Sequence, residues 1–124
     1  SKLRSGENLA DLAPVLNRHD TDAILINCSR PEAVSTAVDI AAQFGRTFGA
    51  YANGFTKISQ GFLQEAPTVD ALQERNDLSP AAYADFAMGW IDQGATIVGG
   101  CCEVGPNHIA ELAARITAAG HQIV

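Results

Sequence analysis

Positive charge is scarce in this sequence. Only 8 residues are Lys or Arg, against 14 that are Asp or Glu, and the net charge is -6. The few basic residues are scattered along the chain. Because nucleic-acid binding needs clustered Lys and Arg to contact phosphates, this composition argues against DNA or RNA as a partner.

Long apolar runs are also missing. No apolar run approaches the roughly 18 residues that suggest a membrane span, and no signal-peptide pattern stands at the start. The 3 cysteines are an odd number and a poor disulfide framework. We therefore expect a cytoplasmic protein with reduced thiols and no membrane segment. The chain begins with Ser1 rather than Met, which is typical of a processed or trimmed chain or of part of a longer protein.

Apolar runs and helical patterns alternate along the chain, which predicts an α/β fold. The predicted strands are residues 23–28, 47–52 and 95–101, and the last is expected to be buried on both faces. The predicted helices are residues 6–19, 29–45, 79–94 and 105–120. Such alternation indicates right-handed βαβ units and a parallel sheet, here a small one with two open edges.

Local signals mark where these helices begin. Ser29 and Glu32 match a capping box, and Ser79 before Pro80 predicts an N-cap with proline in the first turn. Pro14 predicts that the first helix is kinked or shorter than its apolar pattern. The predicted inner faces are Val34, Ala37, Val38, Ala41 and Phe44, then Tyr83, Phe86, Ala87, Trp90 and Ile91, and then Ile109, Leu112, Ala113 and Ile116.

One long stretch, residues 53–78, has no regular pattern, although residues 67–75 are compatible with one short helix. A loop of this length in a compact domain is more often functional than accidental.

The cysteines stand where two predicted strands end. Cys28 ends the first strand, and Cys101 and Cys102 follow two glycines at the end of the third. Because the carboxyl ends of parallel strands meet at one edge, we expect the three thiols to converge. Three thiolates suit zinc and leave one coordination position open, as in catalytic zinc sites. The alternative is that these cysteines are small buried apolar residues.

Other polar residues are weaker candidates. His108 lies in the first turn of the last helix and is a possible fourth ligand, whereas His19 and His121 are expected in solvent. Asn27 and Asn53 stand at strand ends, where each could bind substrate or form a local turn. Neither a GxGxxG fingerprint nor the Cys-x-x-Cys spacing of redox proteins is present.

Two short motifs resemble the homocysteine S-methyltransferase family. They are Asn27-Cys28 followed by Ser-Arg-Pro-Glu, and Gly-Gly-Cys101-Cys102 followed by Pro-Asn-His108-Ile. The resemblance covers about residues 3–119. Glu103, where the family often has Gly, and Gly105, where Thr is common, depart from the pattern.

The resemblance implies the C-terminal part of a (β/α)8 barrel, about strands 6 to 8 with their helices. Residues 1–124 would then form a single partial domain. In the family the three thiolates, here Cys28, Cys101 and Cys102, bind zinc, which binds homocysteine by its sulfur. Tyr51-Ala52-Asn53 resembles the Asn-bearing end of the family's seventh strand, and Asn27 and Asn53 are expected to position the substrate. Acidic residues that help to bind the amino acid belong to strands absent from this chain.

The implied activity is zinc-dependent methyl transfer from a small donor to the sulfur of homocysteine, giving methionine. The donors that the resemblance suggests are S-methylmethionine, S-adenosylmethionine, a betaine and a methylfolate. We expect the isolated chain to be nearly inactive and to self-associate through its exposed sheet edges. The alternative is a non-catalytic zinc-binding or interaction domain.

Overall fold

A parallel three-stranded sheet organises this chain in the computed structural model, which describes residues 1–57 and 73–124. In chain order the elements are a 3-10 helix (Leu9–Leu12), α1 (Ala13–Leu16), β1 (Ala23–Asn27), α2 (Pro31–Ala42), β2 (Thr47–Ala52), β3 (Phe55–Lys57), β4 (Gln73–Glu74), α3 (Pro80–Asp92), β5 (Ile97–Gly100) and α4 (Pro106–Ala118). The sheet order is β1-β2-β5, with both pairings parallel. The predicted α/β fold with a parallel sheet is confirmed.

The predicted strands are observed with small changes at their ends. The third begins at Ile97 rather than at Ala95, because the amide of Ala95 donates to the carbonyl of Trp90 at the end of α3 (2.9 Å). Cys28 lies just beyond β1, since its backbone has left the extended conformation with φ 50°.

One predicted helix start, that of α2, is corrected. Arg30, not Ser29, is the N-cap of α2, and the predicted capping box is wrong. Because Pro31 suits the first helical position, the cap falls one residue later than predicted. The Ser29 hydroxyl instead donates to the carbonyl of Asn27 (3.2 Å), and Glu32 pairs with Arg75.

At the start of the chain, the pattern over residues 6–19 forms a 3-10 helix followed by one α-helical turn with Pro14 near its beginning. The helix is therefore the shorter of the two predicted options. The Ser79 cap is confirmed, since its hydroxyl accepts from the amide of Ala82 (3.2 Å).

The core lies between one face of the sheet and the helices α2 and α3, with one residue from α4. Its fully buried members are Val34, Val38, Ala41, Ala50, Ala52, Tyr83, Ala87 and Trp90. Phe86 and Ile116 pack at its margin, and Leu112 is buried, in agreement with the predicted faces. Ile109 is the exception. It is 41% exposed, because it lies over the backbone of Gly100 at the carboxyl edge of the sheet rather than over the core.

The other face of the sheet is partly exposed. Leu25, Gly49 and Ile97 lie side by side across the three strands, and Leu25 and Ile97 are 38% and 39% exposed. We call this surface, with Asn27 and Tyr51 one step along, the open face. Burial on both faces, as predicted for the third strand, is therefore not observed in this chain.

The irregular stretch contains two short antiparallel strands. β3 and β4 pair with Phe55 opposite Glu74. Most of the predicted helix over residues 67–75 lies outside the described residues, and its last part is wrong, because Gln73–Glu74 is a strand. Among the described residues, no helix has both the length and the apolar character needed to cross a bilayer.

Candidate metal centre

The three cysteines lie together at the carboxyl edge of the sheet. Their sulfur atoms are all within 4.8 Å of one another, and the sulfurs of Cys101 and Cys102 are 3.8 Å apart. All three are free thiols, with Cys102 exposed and Cys28 and Cys101 partly buried. The carboxyl ends of β1 and β5 thus contribute one cluster, although β2 separates these strands.

The cluster fits a tetrahedral zinc ion. With Zn–S bonds of about 2.3 Å, tetrahedral geometry separates two sulfurs by roughly 3.8 Å. The Cys101–Cys102 distance already has this value, and the remaining separations are at most 4.8 Å. Three sulfurs would leave one position open for a further ligand.

Cys28 has an unusual backbone conformation. Its φ of 50° lies in the left-handed region, where an L residue other than glycine is disfavoured. The amide of Cys28 donates to the carbonyl of Tyr51 (3.1 Å), which ties this turn to β2. Such non-glycine outliers are concentrated at functional sites.

Asn53 is fully buried behind Cys28. Its Nδ2 donates to the carbonyl oxygen of Cys28 (2.8 Å), and its Oδ1 accepts from the amide of Phe55 (3.2 Å). The second bond is an Asx turn, as in the turn-forming alternative considered for this residue. Both ends of the amide therefore bond within the protein. Asn27, by contrast, is exposed at the end of β1.

Backbone hydrogen bonds join Cys101 and Cys102, which follow β5, to the end of β2 and the residues just after it. Cys101 donates its amide to the carbonyl of Ala52 (2.9 Å), and the carbonyl of Cys102 accepts from the amide of Gly54 (2.8 Å). Gly100 allows this close turn, since a Cβ there would lie 2.2 Å from a methyl carbon of Val104. Ala52, at the end of β2, and Gly54, just after it, thus position Cys101 and Cys102.

Burial raises the pKa of the Cys101 thiol to about 11, and the neighbouring thiols of Cys28 and Cys102 add to the effect. Without a nearby cation, this thiol is protonated at neutral pH. A bound cation reverses that preference, because it stabilises the thiolate.

His108 lies close to the centre in sequence but bonds elsewhere. Its Nδ1 accepts from the amide of Gly105 (3.2 Å), so its Nε2 is the donor to the carbonyl of Leu78 (2.9 Å). Both ring nitrogens are therefore engaged, and the structure does not bring His108 into the cysteine cluster. His19 and His121 are exposed, as expected.

Tyr83 is a residue of this region that sequence patterns assigned only to the core. It is fully buried, and its hydroxyl donates to the carbonyl of Gly99 (2.6 Å) and accepts from the amide of Ala52 (3.1 Å). Burial raises the pKa of Tyr83 to about 12. The available signal was the choice of Tyr over Phe, since a buried tyrosine usually has a polar partner.

A parallel α/β sheet with three thiols at the carboxyl ends of its strands defines a candidate metal–thiolate protein. The homocysteine S-methyltransferase family model matches residues 1–116, and the chain belongs to this family. The resemblance inferred from the cysteine motifs is thus confirmed.

A curated relative agrees with this assignment. The chain is 26% identical over 109 residues to homocysteine S-methyltransferase 1 of Zea mays. That alignment covers 86% of this chain but 32% of the relative, so the chain spans about a third of the length of that protein.

Proposed function

We propose that this chain forms the zinc- and homocysteine-binding part of a methyltransferase that converts homocysteine to methionine. The observation that supports this most directly is the convergence of Cys28, Cys101 and Cys102 within 4.8 Å, in a chain of the homocysteine S-methyltransferase family. Three sulfurs with room for a fourth ligand suit a thiol substrate.

We also propose that the sheet belongs to a larger (β/α)8 barrel, with β1, β2 and β5 as its sixth to eighth strands. Consecutive strands are neighbours and parallel, which is the order that a barrel requires. The open face would line the barrel interior. The much greater length of the maize relative is consistent with additional strands.

When bound, zinc would bind the homocysteine sulfur at the open position and lower its pKa from the usual value near 8.5. The chain's own residues then have separate tasks. The three cysteines bind the metal, Asn53 fixes the backbone of Cys28, and exposed Asn27 is available to hydrogen-bond the substrate.

In the transfer itself, the homocysteine sulfur attacks the methyl carbon in line with the bond to the donor, and the donor departs with that bonding pair. This geometry requires both substrates to be oriented together. From the sequence, the loop over residues 54–78 is expected to help shape the donor side; residues 58–72 of it lie outside the described residues. The candidate donors remain S-methylmethionine, S-adenosylmethionine, a betaine and a methylfolate.

The test uses the full natural chain, with zinc measured by elemental analysis and methionine formation measured with each donor. Replacing Cys28, Cys101 or Cys102 by Ser should lower zinc well below one ion per chain and abolish turnover. Glu103→Gln is the control, because it alters the same turn without removing a sulfur, and it should keep zinc. Full zinc occupancy in all three Ser variants would rule out this centre.

Two further outcomes concern activity. Zinc binding without turnover with any donor would favour the alternative, a non-catalytic zinc-binding domain. The 124-residue chain alone should be nearly inactive even with zinc, because the family's acidic groups for the homocysteine amine are not in it. Robust turnover by this chain alone would contradict its assignment as part of a larger barrel.

A further inference from the structure

The buried hydroxyl of Tyr83 lies between the ends of two strands. It comes from α3, on the helix-covered side of the sheet, and bonds to the carbonyl of Gly99 and the amide of Ala52 at 2.6 and 3.1 Å. The chain at Ala52 runs beside β5, since Ala52 pairs with Gly100. One side-chain oxygen therefore joins β2 to β5 at the edge where the cysteines lie.

Both contacted residues, Ala52 and Gly99, are linked to the cysteines by the backbone or by hydrogen bonds. Ala52 precedes Asn53, whose side chain bonds to the carbonyl of Cys28, and the carbonyl of Ala52 accepts from the amide of Cys101. On the other strand, Gly99 lies two residues before Cys101. A shift of the Ala52 backbone would therefore move both Cys28 and Cys101.

We propose that Tyr83 is a positioning residue for the metal centre and sets the separation between Cys28 and the Cys101–Cys102 pair. This inference rests on the proposed zinc site. Zinc requires its sulfurs at about 2.3 Å in tetrahedral geometry, so small displacements of a strand end weaken binding. Partners that orient metal ligands typically change metal affinity by about 10- to 100-fold when they are removed.

The contacts of the Tyr83 ring make a clean substitution possible. The ring packs edge-on against Trp90 and His108, with centroid distances of 6.0 and 5.9 Å. Tyr83→Phe preserves these contacts and deletes only the hydroxyl. The amide of Ala52 then loses its acceptor, and the two strand ends lose their bridge.

The control deletes another hydroxyl, one that does not bond to either strand end. Ser35 accepts from the indole nitrogen of fully buried Trp90 (3.3 Å), between α2 and α3. Ser35→Ala therefore leaves a buried donor without its acceptor, as Tyr83→Phe does, but outside the strand ends.

The experiment measures zinc affinity of the full chain by competition with a chromophoric chelator, and the thiolate absorption bands of the cobalt-substituted protein. Tyr83→Phe should lower zinc affinity about 10- to 100-fold and alter the cobalt spectrum. Ser35→Ala should lower the melting temperature while leaving affinity and spectrum unchanged. A purely structural role of Tyr83 would lower only the melting temperature.

The outcomes separate the two proposals. Wild-type protein that binds no zinc would overturn the metal centre, and this inference with it. If the wild-type protein binds zinc and Tyr83→Phe leaves the zinc affinity and the cobalt spectrum unchanged, only the proposed role of Tyr83 is overturned. Should Tyr83→Phe fail to fold, 3-fluorotyrosine introduced at position 83 preserves the hydroxyl, and its fluorine resonance should shift on zinc loading. An unchanged resonance would then count against the proposal.

Discussion

The side-chain amide of Asn53 donates to the carbonyl oxygen of Cys28 over 2.8 Å, and the same nitrogen lies 3.7 Å from the Cys28 sulfur. This contact joins the end of β2 to a cysteine whose backbone is in the left-handed region. A residue predicted to contact substrate therefore also supports the residue proposed to bind metal.

Asn53→Ala and Asn27→Ala should have different effects. Asn53→Ala leaves the carbonyl of Cys28 and the amide of Phe55 without their partners, which should cost about 1–3 kcal/mol of unfolding free energy and lower zinc affinity about 10-fold or more. Asn27 is exposed, so Asn27→Ala should change stability by less than about 0.5 kcal/mol and weaken homocysteine binding. Urea unfolding and titrations with zinc and homocysteine measure these effects. Equal zinc affinity in both variants would contradict the role of Asn53.

His108 should affect stability but not metal content. His108→Ala loses the acceptor for the amide of Gly105 and the donor to Leu78, and should cost about 1–2 kcal/mol. His108→Gln should recover part of this, because glutamine at the third helical position can accept from the N-cap amide. Both variants should retain one zinc per chain by elemental analysis. Loss of zinc from His108→Gln would instead make His108 a ligand.

Stability should depend on pH through Arg75. Its side chain is 11% exposed, and its guanidinium pairs with Glu32 and Asp77. The hydrogen bond from Arg75 lowers the pKa of Asp77. Partial burial opposes the shift of Glu32, but hydrogen bonds from its own amide and from Arg75 leave its pKa lowered as well.

Because both carboxyl pKa values are lowered by folding, their contribution is present above the unfolded values of about 4.3 and 3.9 and is lost as pH falls through the folded values. Arg75→Gln should therefore destabilise the chain at about pH 7 and much less at about pH 3, as measured by urea unfolding. Arg115→Gln is the control. It removes similar pairs, with Asp85 and Glu111, from a side chain that is 35% exposed, and should have a smaller effect throughout. A pH-independent effect of Arg75→Gln would show that these pairs do not stabilise the fold.

The open face should make the 124-residue chain associate. Leu25, on the edge strand β1 of this face, is 38% exposed, so a charged residue there should weaken contacts with a second copy or with the remaining part of the family fold. Leu25→Lys should shift the chain toward monomer in sedimentation. Val15→Lys, at a side chain equally exposed on α1, should not. A wild-type chain that is monodisperse and monomeric would contradict this prediction.

Local patterns in the sequence were sufficient to predict the three parallel strands and the helices between them, but not the short strands β3 and β4. Alternating apolar runs and helical periodicity predicted the parallel sheet, and the Ser79-Pro80 pair predicted the start of α3, because these signals depend on neighbouring residues. The position of the cysteines at the ends of two predicted strands also predicted that the thiols would meet. Parallel strands have their carboxyl ends at one edge of the sheet, however the connecting helices pack.

Only the tertiary structure decided what surrounds those thiols. The bond from Asn53 to Cys28 spans 25 positions and that from Tyr83 to Ala52 spans 31, so no local pattern contains them. Whether the strands are buried on one face or on both likewise depends on which elements pack against the sheet. The sequence by itself determined the three strands of the parallel sheet and the convergence of the three thiols, because backbone preference is local and parallel strands end at one edge. It did not predict the short strands β3 and β4. The hydrogen bonds that position the cysteines join residues far apart in the sequence, so they depend on how the helices pack against the sheet.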